Sequence, residues 1–149
     1  MKQKVKVGIV GLSKTAIQKH LPVLQKMIEV EVIGAFDPDI SKFDQANKDL
    51  GTNLKFFNSY QEICFAADAL IICSPEKARI SQAEIAVDEY GLPVMVEDPF
   101  ASDADKLRER YKNVFESCNL KFIVFYGDAD DLRTNGGYDS FIEDVYRFL

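Results

Sequence analysis

Short apolar runs alternate with longer amphipathic segments along most of the chain. The runs "KVKVGIV" (4–10), "VEVIGAF" (30–36), "LKFF" (54–57), "ADALIIC" (67–73), "PVMVE" (93–97) and "LKFIVFY" (120–126) read as strands. The segments 14–27, 40–49, 59–65, 77–90 and 103–117 between them read as helices. Nearly continuous apolar strands indicate a sheet buried on both faces, and the alternation indicates parallel βαβ units with right-handed crossovers. The pattern therefore predicts an α/β fold in three layers, with a mostly parallel six-stranded sheet between helices. Pro22 lies inside the first helical segment and is expected to kink or break it.

After Tyr126 the rhythm stops. "GDADDLRTNGG" (127–137) reads as an acidic loop, and "YDSFIEDVYRFL" (138–149) as an amphipathic helix. Residues 1–126 then form the main domain, and 127–149 a loop and helix that pack on this domain or on a partner. Tyr138, Phe141, Ile142, Val145 and Tyr146 share the apolar side of that helix, with Leu149 continuing the stripe. Such a side needs cover, because a large exposed apolar patch is unusual in a monomer. A homodimer through these side chains is the expectation, and folding back onto the chain's own sheet is the alternative.

Composition narrows the function classes. The formal net charge is -6 over 149 residues, with no concentrated basic patch, which argues against nucleic acid as a partner. No apolar run reaches the length of a membrane span, and the N-terminus passes straight into a strand pattern. The 3 cysteines, Cys64, Cys73 and Cys118, are widely spaced and odd in number, as expected of reduced thiols in the cytoplasm. With 1 histidine and distant thiols, no metal site is expected. Asp128, Asp130 and Asp131 lack the spacing and terminal glutamate of a calcium loop, so they read as a solvated acidic loop.

The chemistry-bearing stretch is "VGIVGLSKTA" (7–16), which couples the first strand to the first helix. A dinucleotide's pyrophosphate would there meet backbone N–H groups and the positive end of the helix dipole. Gly11 and Ala16 fit the glycine fingerprint, but Ser13 stands where a second glycine would let backbone approach the phosphates. Ser13 can donate to a phosphate or keep the cofactor off, and a tight turn without ligand is the competing reading. Asp37 ends the second strand in "AFDPD" and can accept hydrogen bonds from an adenosine ribose while repelling a 2′-phosphate. It can equally be a turn or capping acid, since Asp-Pro starts turns.

Taken together, "VGIVGLSKTAIQKHLPVL", "VIGAFDPD" and "ADALIICSPEKARISQAEIAVDEYGLPVMVEDPF" resemble the nucleotide-binding half of the glucose-fructose oxidoreductase/inositol dehydrogenase (Gfo/Idh/MocA) family over roughly residues 4 to 126. The resemblance implies a Rossmann-like domain and NAD(P), with NAD favoured by Asp37. It also implies an oxidoreductase of sugars or related hydroxy compounds whose second domain supplies much of the substrate site. Gly11, Ser13, Ala16 and Asp37 then become cofactor-binding positions, joined by Ser74 and Pro75 near the nicotinamide end. Glu97 and Pro99 match the family's Glu-Lys-Pro motif, and Glu97 joins the cofactor-binding set.

Asp98 departs from that motif. It replaces a lysine that would orient the reacting hydroxyl, and beside Glu97 it makes the corner strongly negative, which disfavours a developing alkoxide. Glu76 and Arg79 also replace the asparagine and histidine that often follow the family's Ser-Pro. Arg79 can meet a phosphate or substrate carboxylate, or simply be solvated. His20 reads as a packing residue. No residue is assigned a catalytic role. The expectation is a weak NAD-binding domain, non-catalytic as an isolated chain. The alternatives are a degenerate interaction domain, or the N-terminal part of an oxidoreductase completed by another chain or a missing segment.

Overall fold

The computed structural model describes residues 3–51, 53–96, 109, 123–125 and 137–148. Strands β1 (Val5–Val10), β2 (Val30–Phe36), β3 (Ala69–Ile72), β4 (Val94–Val96) and β5 (Ile123–Phe125) form one sheet in the order β2-β1-β3-β4-β5. Every neighbouring pair is parallel. β3 shows why both faces are covered: Ala69 and Ile71 enter one core, and Leu70 and Ile72 the other. The first core gathers Ile9, Ile71 and Met95 under Leu21, Leu24 and Ala46, and the second gathers Val10, Ile72 and Val96 under Ile63, Ala83 and Val87. These are the three layers that the apolar pattern predicts.

Among the described residues the sheet has five strands rather than six. The "LKFF" segment is reduced to a single parallel bridge between Ala35 and Phe56, outside β2. Its approach depends on Gly34, whose φ is +143° and where a Cβ would lie 2.3 Å from the Lys55 carbonyl oxygen. The β1–β2 register also shifts at Val7/Gly8, beside Gly34, so that edge is bent where a longer ladder would have to continue.

The first helical segment runs where expected but in two forms. Residues 14 and 15 are helical, Ala16–His20 form a π-helix, and α1 (Leu21–Lys26) continues from it. Pro22 occupies the start of the α-helical part, where its missing N–H is tolerated, so the break takes the form of a π-to-α junction.

Helix α2 (Ile40–Leu50) begins at Asp39, which accepts from the Ser41 N–H, and ends on Gly51 in the left-handed conformation. Ser59 caps α3 (Tyr60–Ala66) by accepting from the Glu62 N–H. Helix α4 (Glu76–Tyr90) follows Pro75. The predicted helix over 103–117 and the acidic loop, with Cys118, Asp128, Asp130 and Asp131, lie outside the described residues, as does Leu149.

The last helix, α5 (Gly137–Phe148), covers the chain's own sheet. Tyr138, Phe141, Ile142 and Val145 are buried in the first core, and Tyr146 packs against it. The Tyr138 hydroxyl lies 2.6 Å from His20 Nδ1, and the Tyr146 hydroxyl donates to the carbonyls of Gln3 (3.0 Å) and Glu29 (3.3 Å). Four of the side chains expected at a dimer contact, Tyr138, Phe141, Ile142 and Val145, are thus part of the chain's own core, the fold-back arrangement weighed from sequence. No helix among the described residues is long and apolar enough to cross a membrane.

Candidate functional site

Strand order places β1 between β2 and β3, so the loops leaving β1 and β3 diverge at the carboxyl edge of the sheet. In open α/β sheets this switch point is where ligands bind. A cleft of about 150 Å³ lies there, lined by Gly11, Leu12, Ser13, Asp37, Lys42, Cys73, Ser74, Pro75 and Arg79. Five of the cofactor-binding positions expected from sequence, Gly11, Ser13, Asp37, Ser74 and Pro75, therefore meet in one place, with Arg79 beside them. Ala16 is fully buried beneath it, one turn into the helix, and Glu97 lies outside the described residues together with Asp98 and Pro99.

Gly11 is fixed by its neighbours. Its φ is +87°, and a Cβ would sit 2.5 Å from the Ser74 nitrogen and 2.6 Å from the Ser74 Cα. The β1 loop and the start of the β3–α4 connection thus touch backbone to backbone. Ser74 closes the contact from the other side. It is buried, and its hydroxyl donates to the Val10 carbonyl at 3.4 Å.

Asp37 binds the glycine loop to the second strand. Its Oδ2 accepts from the Leu12 N–H and its Oδ1 from the Asp39 N–H, each at 2.8 Å, and the residue is 4% exposed. The two roles considered from sequence are therefore compatible: the carboxylate organises the turn, and each oxygen retains a second lone-pair direction for a sugar hydroxyl.

Ser13 behaves as a helix cap, its Oγ accepting from the Ala16 N–H at 3.1 Å. With Leu12 committed to Asp37 and Ala16 to Ser13, the backbone donors of this turn left for a ligand among the described hydrogen bonds are those of Ser13, Lys14 and Thr15. They fit a phosphate group, as do the serine hydroxyl and the two cations. The cleft, at about 150 Å³, has room for a phosphate and its immediate neighbours, and a whole dinucleotide would extend beyond it.

Lys42 is the charged lining residue that sequence reasoning missed. It sits in the first turn of α2, a few residues beyond Asp37, and that proximity was the available signal. Cys73 is buried and also lines the cleft. Arg79 donates from Nε to the Ser74 carbonyl at 2.6 Å, which holds its guanidinium at the cleft. Away from the cleft, burial pushes the Cys64 thiol up to about 11 and raises Tyr60 above the ordinary phenol range, so neither is a nucleophile near neutrality.

The class defined by this fold and cleft is a nucleotide-binding α/β domain. Residues 5–125 match the family described as "Oxidoreductase family, NAD-binding Rossmann fold" (GFO_IDH_MocA), and the chain belongs to that family. None of the curated proteins matches it in sequence.

Among solved structures, scyllo-inositol dehydrogenase from Lactobacillus casei with bound cofactor NAD(H) and scyllo-inositol is 24% identical, with a TM-score of 0.64 over 83% of this chain and 36% of that one. A dehydrogenase (MviM) from Clostridium difficile is 22% identical, with a TM-score of 0.66 over 83% of this chain and 39% of that one. An oxidoreductase from Agrobacterium radiobacter, in complex with NAD+, L-tartaric acid and magnesium, is 15% identical, with a TM-score of 0.64 over 83% and 35%. At these identities the likeness is one of fold. The chain spans little more than a third of each of these proteins.

Proposed function

We propose that the cleft between the β1 and β3 loops binds NAD(H), weakly, and that the isolated chain is a cofactor-binding domain without dehydrogenase turnover. The observation that carries this is the convergence of Gly11, Ser13, Asp37, Ser74 and Pro75 on one cleft at the switch point of the sheet. The uncommitted N–H groups at residues 13–15 and the start of the helix would hold the pyrophosphate, and Asp37 the adenosine ribose. An acidic side chain at that ribose leaves no room for a 2′-phosphate, which favours NAD over NADP. When bound, the cofactor supplies hydride transfer. The residues described here bind and orient it.

Turnover is assigned to no residue of this chain. Hydride transfer needs substrate and nicotinamide held together with water controlled, and relatives supply much of that enclosure from a second domain. A second reading rests on the share of the solved relatives that the chain spans, 36% for the Lactobacillus casei enzyme. On that reading the domain is the N-terminal part of a polyol or sugar oxidoreductase completed by further polypeptide. The buried Cys64 and Cys73, neither of them in a disulfide, support a reducing, cytoplasmic location.

Calorimetric titration with NADH and NADPH tests the binding reading. Saturable binding of NADH with weaker binding of NADPH is expected. No saturable heat at millimolar NADH would reject it, and tighter NADPH binding would remove the role given to Asp37. Steady NADH production by the chain alone, across a panel of polyols, sugars and hydroxy acids, would reject the non-catalytic part.

A further inference from the structure

We propose that Arg79 is an anion clamp for the cofactor's pyrophosphate, replacing by side chain the backbone contacts that Ser13 withholds. This deepens the NAD(H) reading and rests on it for the identity of the anion. Ser13 Oγ occupies the Ala16 N–H, and the Leu12 N–H is held by Asp37, so part of the donor set at this helix start is spent within the protein.

Arg79 enters the same cleft from α4, on the other side of the switch point. Its Nε–H···O bond to Ser74 fixes the guanidinium plane at the loop that touches Gly11. A guanidinium carries five donors in a rigid fork and stays charged whatever else it bonds, which suits it to phosphate oxygens. The charge balance is also local. Among the described residues the cleft's charged lining is Lys42 and Arg79 against Asp37, two cations to one acid in a chain of net charge -6. Lys42 is exposed and screened, whereas Arg79 is partly buried and anchored, so Arg79 carries most of the attraction.

The test uses the full 149-residue chain and inorganic pyrophosphate as well as NADH, with Arg79→Gln and Arg79→Lys compared by calorimetry. Arg79→Gln is expected to weaken pyrophosphate binding roughly tenfold or more, and Arg79→Lys to restore part of that loss. Adenosine, which lacks the phosphates, should bind both variants as it binds the parent.

Pyrophosphate bound equally by the parent and Arg79→Gln overturns the clamp even if NADH binds. Failure of the parent to bind millimolar pyrophosphate overturns it too. Arg79-dependent pyrophosphate binding without NADH binding upholds the clamp and rejects the dinucleotide reading instead. Should Arg79→Gln not fold, the parent's salt dependence decides: affinity for pyrophosphate must fall between about 50 and about 500 mM NaCl, and a flat response overturns the proposal.

Discussion

Gly11 and Ser74 stand so close that a single added methyl group at Gly11 would fall 2.5 Å from the Ser74 nitrogen. This contact joins the loop after β1 to the start of α4 and shapes the cleft between them. It also separates two roles for the glycine that sequence alone merges: Gly11 is required by the crossing of two backbones before any cofactor arrives.

Gly11→Ala is therefore expected to destabilise the fold as well as the site. The φ of +87° costs an alanine about 1–3 kcal/mol, and the clash is with backbone, which cannot rotate away. Thermal denaturation should show a lower midpoint by several degrees. A variant as stable as the parent would show that the two loops separate freely and that the contact does not hold the cleft.

The helix α5 gives a prediction about assembly and stability together. Phe141 is fully buried in the core formed by α5, the first helix and the sheet, and Phe141→Ala should cost about 3–5 kcal/mol. Because the apolar side of α5 is spent internally, light scattering over a concentration series should return the monomer mass of 16.8 kDa. A dimer whose dissociation follows Phe141→Ala would mean that α5 leaves its own sheet in solution.

What the sequence disclosed and what it hid have separate physical causes. The strands were legible because both faces are buried, so Val5–Val10 and Ala69–Ile72 read as unbroken apolar runs. The failure of Leu54–Phe57 to form a strand was not, because it depends on the bend at Gly34 and on how closely the Lys55 carbonyl can approach. Five site residues were legible from spacing after a strand, which the switch-point geometry then converts into proximity. Lys42 was hidden because an exposed lysine on an amphipathic helix reads as solvated, with only its nearness to Asp37 to mark it, and the role of Ser13 as a cap needed the Ala16 N–H to be located. The destination of α5 was ambiguous for a related reason: an apolar stripe states that cover is needed without naming the surface that provides it.

Alkaline pH should weaken the fold through Cys64 and Tyr60. Burial raises both above their ordinary values, the thiol from 9.0 to about 11, so the unfolded chain loses these protons first. The folded state then binds more protons than the unfolded one, and stability must fall as pH rises. The contribution from Cys64 is fully present below pH 9 and lost on the way to about 11, with Tyr60 adding from pH 10 upward. Urea denaturation at successive pH values should show the loss steepening above pH 9, and Cys64→Ser should flatten the first part. An unchanged midpoint from pH 8 to 11 would contradict the burial assigned to that thiol.

Ser13→Gly should tighten NADH binding, which makes it the most direct test of the site. The serine Oγ accepts the Ala16 N–H at 3.1 Å, and its removal frees a donor at the helix start where a phosphate would lie. Glycine also lets the backbone come closer to the pyrophosphate, the function that this position has in the full fingerprint. One more phosphate hydrogen bond is worth about 1 kcal/mol or somewhat more, so an affinity gain of roughly five- to tenfold is expected. The accompanying loss of stability should be small, because glycine is itself an acceptable N-cap, within a few tenths of a kcal/mol of serine. Fluorescence titration with NADH measures the first quantity and thermal denaturation the second. Weaker binding by a variant of unchanged stability would give the serine hydroxyl the opposite role, as a direct donor to the phosphate.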